Sequence, residues 1–270
     1  MINKLSKLQQ AELDIFKEFV YICNKNNLKY FIWGGSFLGA IRHKGFIPWD
    51  DDIDVAMPRP DFERFLEIAP QLLSDKLFLS TYKRGRDHIT LVAQVFNKNK
   101  DFVLNNAKKK IKTGAWLDIL VIDGAPNPGI KRLIFGVKYM YYRMINQFAL
   151  FDEVVNLNKK RPWYEKIAIK FAQITNIEKL LDPVKIGDHF HTLLKSNKYD
   201  SCEYIATFMG AKKMGEIMPK AYVGEGTLVS FEDMQVVGPK EFDLYLKHIY
   251  GDYMKLPPEG DRNRHNVTNE

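Results

Sequence analysis

The chain has 270 residues, of which 46% are hydrophobic and 27% charged, and it carries a formal net charge of +7. That balance is ordinary for a globular protein and rules out disordered, collagen-like and low-complexity classes. Two cysteines far apart, Cys23 and Cys202, with no CxxC pair, rule out a disulfide framework and a zinc-ribbon site.

The start of the chain mixes charged and apolar residues and lacks the unbroken apolar run of a signal peptide. No stretch reaches the roughly 18 uninterrupted apolar residues of a membrane span. The chain therefore reads as cytoplasmic. Short basic runs, Lys108 to Lys112, Lys159 to Arg161 and Lys212 to Lys213, serve solubility or attract anionic partners.

Leu5, Leu8, Leu13, Phe16, Phe19, Val20 and Cys23 recur at helical spacing and predict a helix over residues 5–26. Lys29 to Trp33 reads as a strand stopped by Gly34 and Gly35, after which Ser36 is placed to cap a helix through Arg42. Asp50 to Met57 has strand period from Asp52 onward, and Asp61 is placed to cap a helix whose apolar face runs from Phe62 to Leu73. Leu77 to Tyr82, Ile89 to Phe96 and Trp116 to Ile122 read as strands, the last ending in a turn at Asp123-Gly124.

Beyond that point the pattern becomes helical. Apolar residues recur at helical spacing from Ile130 to Phe148, and Trp163 to Ile174 and Val184 to Leu194 follow. The long helix reads as a core helix with a wet edge, although Lys131, Arg132, Lys138 and Arg143 among its aromatic residues also suit a membrane surface. The expected fold is α+β, with residues 1–127 as catalytic core and 128–270 as a mainly helical subdomain, forming one compact unit.

Four aspartates in five positions, Asp50 to Asp54, carry the chemistry. On a strand Asp50, Asp52 and Asp54 would share one face, with Asp51 pointing elsewhere and Ile53 and Val55 in the core. Neighbours on one face sit about 6–7 Å apart at the backbone, so their carboxylates can converge on two metal ions. An EF-hand is excluded because Val55 stands where that loop needs glycine and Asp61 where it needs glutamate. Oxygen-only ligands favour magnesium, with manganese as substitute.

Gly34, Gly35 and Ser36 open a helix whose amides can approach a phosphate. Asp118, one charge inside the apolar strand Trp116 to Ile122, is the expected third carboxylate, with Asp123 as fallback. Arg42, His43 and Lys44 are candidate phosphate contacts. Trp33, Trp49 and Trp116 border the acidic stretch and are candidate substrate contacts, each also explained by packing.

The run WGGSFLGAIRHKGFIPWDDDIDVAMPRPDFE, Trp33 to Glu63, closely resembles the signature of the LicD family of phosphotransferases, relatives of fukutin-related proteins. WLDILVIDG, Trp116 to Gly124, and YGDYMKLPPEGDRNRH, Tyr250 to His265, resemble two further family segments, the last departing at Gly260-Asp261 and Asn266. The resemblance implies a nucleotidyltransferase-like mixed sheet flanked by helices. It implies transfer of phosphocholine from CDP-choline to a sugar of a teichoic-acid or lipooligosaccharide precursor on a lipid carrier, with CMP released and no nucleic acid involved. By the same resemblance Asp52, Asp54 and Asp118 would hold two magnesium ions and Asp50 would assist or act as base. Gly34 to Ser36 would hold the diphosphate, and Arg262 and His265 would reach the donor. The alternatives are glycerol, ribitol or ethanolamine phosphate as the transferred group, a true nucleotidyltransferase, and a non-catalytic scaffold for membrane glycan.

Overall fold

A computed structural model describes residues 5–88, 90–105, 110–151, 177–258 and 267–269, together with Lys170, Thr175 and Arg262. Helix α1 (Lys7–Lys25) opens with a capping box: Gln9 N–H donates to the Ser6 hydroxyl at 3.1 Å, and Ser6 N–H donates to Gln9 Oε1 at 3.0 Å. The expected strand at Lys29 is only Phe31–Ile32 (β1), because Trp33 already serves as N-cap of α2 (Gly34–His43). Ser36 therefore lies inside α2 and does not cap it.

Strand β2 (Asp54–Pro58) leads directly into α3 (Arg59–Leu72). Asp61 does not cap α3; its carboxylate accepts the Lys29 backbone N–H at 3.0 Å and ties the helix to the entry of β1. After α3 come β3 (Leu77–Ser80), β4 (Ala93–Asn97), β5 (Phe102–Asn105), β6 (Lys110–Thr113) and the long β7 (Trp116–Ala125). The central sheet has the order β1-β2-β7-β4-β3, with β2 and β7 parallel and the other neighbours antiparallel.

The Asp123-Gly124 turn does not form. These residues continue β7 and pair with β8 (Tyr204–Ala206), which in turn pairs with β9 (Met218–Pro219). Glycine is needed at 124 because a Cβ there would lie 2.6 Å from Asn197 O and 2.8 Å from Cys202 Sγ. Asp123 faces away from Asp118 by strand period and is buried in a bidentate pair with Arg59, at 2.7 and 2.6 Å.

The second half holds more strand than its sequence suggests. Besides α4 (Ile130–Ala149), α5 (Pro183–Lys195) and, later, α6 (Phe242–Tyr250), it contains β8, β9 and the hairpin β10 (Thr227–Phe231) with β11 (Met234–Gly238). A final strand, β12 (Val267–Asn269), pairs with β5. The expected helix Trp163 to Ile174 and the run Lys159 to Arg161 fall outside the described residues, Lys170 apart. One apolar core joins α1, the central strands, the hairpin and α6, and a smaller one lies between α4, α5 and β8.

Helix α4 differs from its expected role. Its inward face is Phe135 and Tyr139, whereas Ile130, Leu133, Ile134, Val137, Tyr141 and Met144 are exposed. The helix is apolar nearly all round, so helical spacing alone does not tell which side meets the core.

Candidate active site

Asp54 opens β2 and stands directly opposite Asp118 in the parallel β2–β7 register, so both side chains leave the same face of the sheet. Asp118 N–H donates to Ile53 O at 3.0 Å, and Trp33 N–H donates to Asp54 O at 2.9 Å. Carboxylate oxygens of Asp52, Asp54 and Asp118 lie within 4.8 Å of one another, and those of Asp50, Asp51 and Asp52 form a second such group.

The convergence is achieved differently from the expected alternation. Residues 50–53 form a loop, the strand beginning only at Asp54, and the loop turns Asp51 toward Asp50 and Asp52 instead of away from them. Ser36 fixes this path: its hydroxyl accepts Asp54 N–H at 2.9 Å and donates to Asp52 O at 3.5 Å. Gln9 Nε2 holds the other end of the loop through Asp50 O at 2.8 Å.

The glycine corner abuts these carboxylates. Gly34 has φ +53, a left-handed conformation, and a Cβ on it would lie 3.0 Å from Asp54 Oδ2; a Cβ on Gly35 would lie 3.1 Å from Asp50 Oδ2. The first amides of α2 precede its first intrahelical bond, Phe37 N–H to Trp33 O. They therefore present positive partial charge beside the acidic groups. Gly34 N–H donates to Tyr245 Oη at 3.2 Å.

Each oxygen of Asp118 is oriented from a neighbouring strand or residue. Gln94 Nε2, its cross-strand partner on β4, donates to Oδ1 at 2.6 Å, and Trp116 Nε1 donates to Oδ2 at 3.3 Å. Burial pushes the Asp54 carboxyl well above the usual carboxylate range, and the charges of Asp52, Asp118 and Asp50 push it further. Glu12 on α1 behaves likewise: it is buried, neither carboxylate oxygen has a hydrogen-bond partner among the described residues, and burial followed by Asp52 and Asp51 raises its pKa. Two carboxylates about 4 Å apart repel by roughly 4 kcal/mol at an effective dielectric near 20. A set this dense, with oxygen donors only, suits a hard divalent cation.

Asp54 and Asp118 line a cavity of about 490 Å³ together with Arg143 and Asn146 of α4 and Met209 and Gly210. Arg143 is fixed by Nη1 donating to Tyr139 Oη at 3.1 Å and to Phe208 O at 3.3 Å. The 207–216 loop is anchored by buried Glu216, which accepts the Thr207 hydroxyl and Lys212 N–H, while Trp33 Nε1 donates to Thr207 Oγ1 at 3.3 Å. A larger cavity, about 700 Å³, lies across the sheet around Arg59, Tyr82 and His191 and contains none of the clustered aspartates.

The remaining candidates scatter. Arg42 and His43 end α2 and Lys44 follows, at the opposite end of that helix from Gly34. Arg42 Nη1 donates to Tyr253 O at 2.8 Å, and burial and then Arg42 lower the His43 pKa. Trp49 stacks edge-on with His43 and lies under the Arg262 guanidinium, 4.5 Å from its ring centre. Trp33 is buried in packing against Tyr245. His265 lies outside the described residues.

Sequence reasoning missed Gln94, Arg143, Asn146 and Glu12. Glu12 leaves a trace, since it falls four residues from both Leu8 and Phe16 on the apolar stripe of α1. Arg143 leaves none, because only the packing of α4 brings it to the cavity that Asp54 and Asp118 line.

Parallel strands that present paired aspartates beside a glycine-opened helix suit an enzyme of phosphate-group transfer. Residues 27–118 match the family described as "LicD/FKTN/FKRP, nucleotidyltransferase domain". The chain is 29% identical to the Haemophilus influenzae protein named lipopolysaccharide cholinephosphotransferase LicD, over 97% of this chain and 96% of that one. It is also 26% identical to an uncharacterized protein of Rickettsia typhi, over 70% of this chain and 64% of the relative. An uncharacterized protein of Rickettsia prowazekii is 27% identical over 61% of this chain and 62% of the relative. Its similarity to that family over residues 27–118, and to the Haemophilus protein over nearly its whole length, supports a LicD-like phosphotransferase.

Proposed function

We propose that the enzyme transfers phosphocholine from CDP-choline to a sugar hydroxyl of a cell-surface glycan precursor, with magnesium held by Asp52, Asp54 and Asp118. The observation carrying this reading is the Asp54–Asp118 register, which gathers three carboxylates at the glycine end of α2. The relative's name supports choline phosphate as the transferred group.

In the reaction the sugar oxygen attacks the phosphorus bearing choline, a new P–O bond forms, and the P–O bond to CMP breaks with its electron pair leaving on CMP. The sugar proton passes to Asp50, which the loop places beside the metal-binding set. Arg143, which lines the same cavity as Asp54 and Asp118, balances charge on the donor phosphates. Magnesium, when bound, neutralises the charge developing on the leaving phosphate. The amides of Gly35 and Ser36 orient the diphosphate, and Trp116, bonded to Asp118, would offer its ring to the choline cation.

The test follows isotope from CDP-choline labelled separately in choline and in cytidine, with a lipid-linked glycan acceptor and magnesium. Choline label should enter the glycan while cytidine label is released as CMP, and Arg143→Ala should cut the rate by about 10- to 100-fold. Cytidine label retained on the glycan would overturn the reading in favour of nucleotidyl transfer. Turnover only with CDP-glycerol, CDP-ribitol or CDP-ethanolamine would keep the chemistry and replace choline.

A further inference from the structure

We propose that α4 is an interfacial helix that docks the enzyme on an anionic phospholipid surface. Six of its apolar residues, Ile130, Leu133, Ile134, Val137, Tyr141 and Met144, remain 47–68% exposed. At 100° per residue they fall within an arc of about 100°. The opposite side of the helix is the one that packs, through Phe135 and Tyr139 against Phe190 and Phe208. A helix apolar on both sides normally has both sides covered, and among the described residues nothing buries the outer one.

Charge identifies the occupant. The 20 residues of α4 include four basic side chains and no acidic one. Arg132 and Arg143 are turned inward, Arg132 Nε to Pro126 O at 2.8 Å and Arg143 to Tyr139 and Phe208. Lys131 and Lys138 instead flank one edge of the outer stripe. There they line a cavity of about 570 Å³ with Asn127, Ser196 and Asn197, its one carboxylate, Glu203, being taken by the Asn127 amide at 3.2 Å. An apolar stripe bordered by lysines over a polar recess matches acyl chains next to a phosphate headgroup.

The docking surface also has a place in the reaction. The inward side of the same helix carries Arg143 and Asn146 into the cavity of Asp54 and Asp118, so a bilayer lying along α4 would border the rim of that cavity. An acceptor carried on lipid would then reach the aspartates without leaving the membrane surface. That last point rests on the phosphocholine-transfer reading, whereas vesicle binding does not, so the two can fail separately.

The test is co-sedimentation of the full chain with vesicles of phosphatidylcholine alone and of equal parts phosphatidylcholine and phosphatidylglycerol. Anionic vesicles should bind at least about tenfold more protein, with binding weakened by salt. The double variant Val137→Glu/Tyr141→Glu should lose that binding, whereas Leu228→Glu, on the exposed face of the β10–β11 hairpin, should keep it. Thermal melts of both variants, matching the parent, establish that the fold is intact. Protein left in the supernatant, or vesicle binding unchanged in the double variant, would overturn the proposal. A dimer seen by light scattering and dissolved by Val137→Glu would give the face to a second copy and overturn it equally.

Discussion

Asp54→Asn is expected to lower phosphocholine transfer by about 10³-fold or more, the order lost when one preorganised charge-stabilising group is removed from a transfer site. The same change should leave the metal-free protein at least as stable as the parent at neutral pH. Asparagine keeps the shape of the side chain and removes a charge that burial and three neighbouring aspartates disfavour. The pH dependence follows with a definite sign. Because the folded carboxyls of Asp54 and Glu12 are raised, the native state binds more protons than the unfolded chain above the ordinary carboxylate pKa of about 4. The contribution of these two groups to the stability of the metal-free parent is therefore fully present below that value and is lost as pH rises through the raised folded range. Denaturant melts at stepped pH should show this decline, smaller in Asp54→Asn. A decline of equal size in both, or a variant with undiminished transfer, would count against the site.

The second large effect is structural. Arg59→Ala is expected to cost about 3–5 kcal/mol of stability, since it leaves the Asp123 carboxylate buried at the far end of β7 without its bidentate partner. Burial already raises the pKa of Asp123 more than Arg59 lowers it, so the pair balances an expensive burial rather than adding a surplus. Arg59→Met combined with Asp123→Leu should recover most of the loss, because an apolar pair of similar volume removes both desolvated charges. Urea unfolding of the single and double variants distinguishes this account. Equal destabilisation in both would mean that the cost lies in packing instead.

Much of the acidic centre is legible in the amino-acid sequence. Alternating aspartates after a Gly-Gly-Ser corner and one charge embedded in the apolar run of β7 named Asp52, Asp54 and Asp118, which the structure brings together. The geometry joining them was not legible, because it depends on a loop. Strand period turns Asp51 outward, but residues 50–53 are not strand, and Ser36 and Gln9 set their course through long-range hydrogen bonds. Gln94 enters through cross-strand register, and Arg143 through the packing of α4 on Phe208; neither leaves a local pattern.

The second half was read as helix for a related reason. Strands β8 and β9 are three and two residues long, too short to display two full periods, and β10 and β11 have only five each against the strong helical spacing around them. In α4 the apolar count identified the helix correctly but selected the exposed side, because inner and outer faces are both apolar. Asp123-Gly124 resembled a turn because that dipeptide favours turns, yet Gly124 is small here to admit Cys202 against the continuing strand.

Everything proposed for the reaction depends on Asp54 and Asp118 sharing a divalent cation across the parallel pair. Manganese binding, followed by the loss of the free-ion electron paramagnetic resonance signal, reads this without requiring turnover. The parent should bind manganese saturably and tighter with CDP-choline present, and Asp54→Asn and Asp118→Asn should each weaken binding by about tenfold or more. Manganese bound equally well by all three proteins would contradict the shared site.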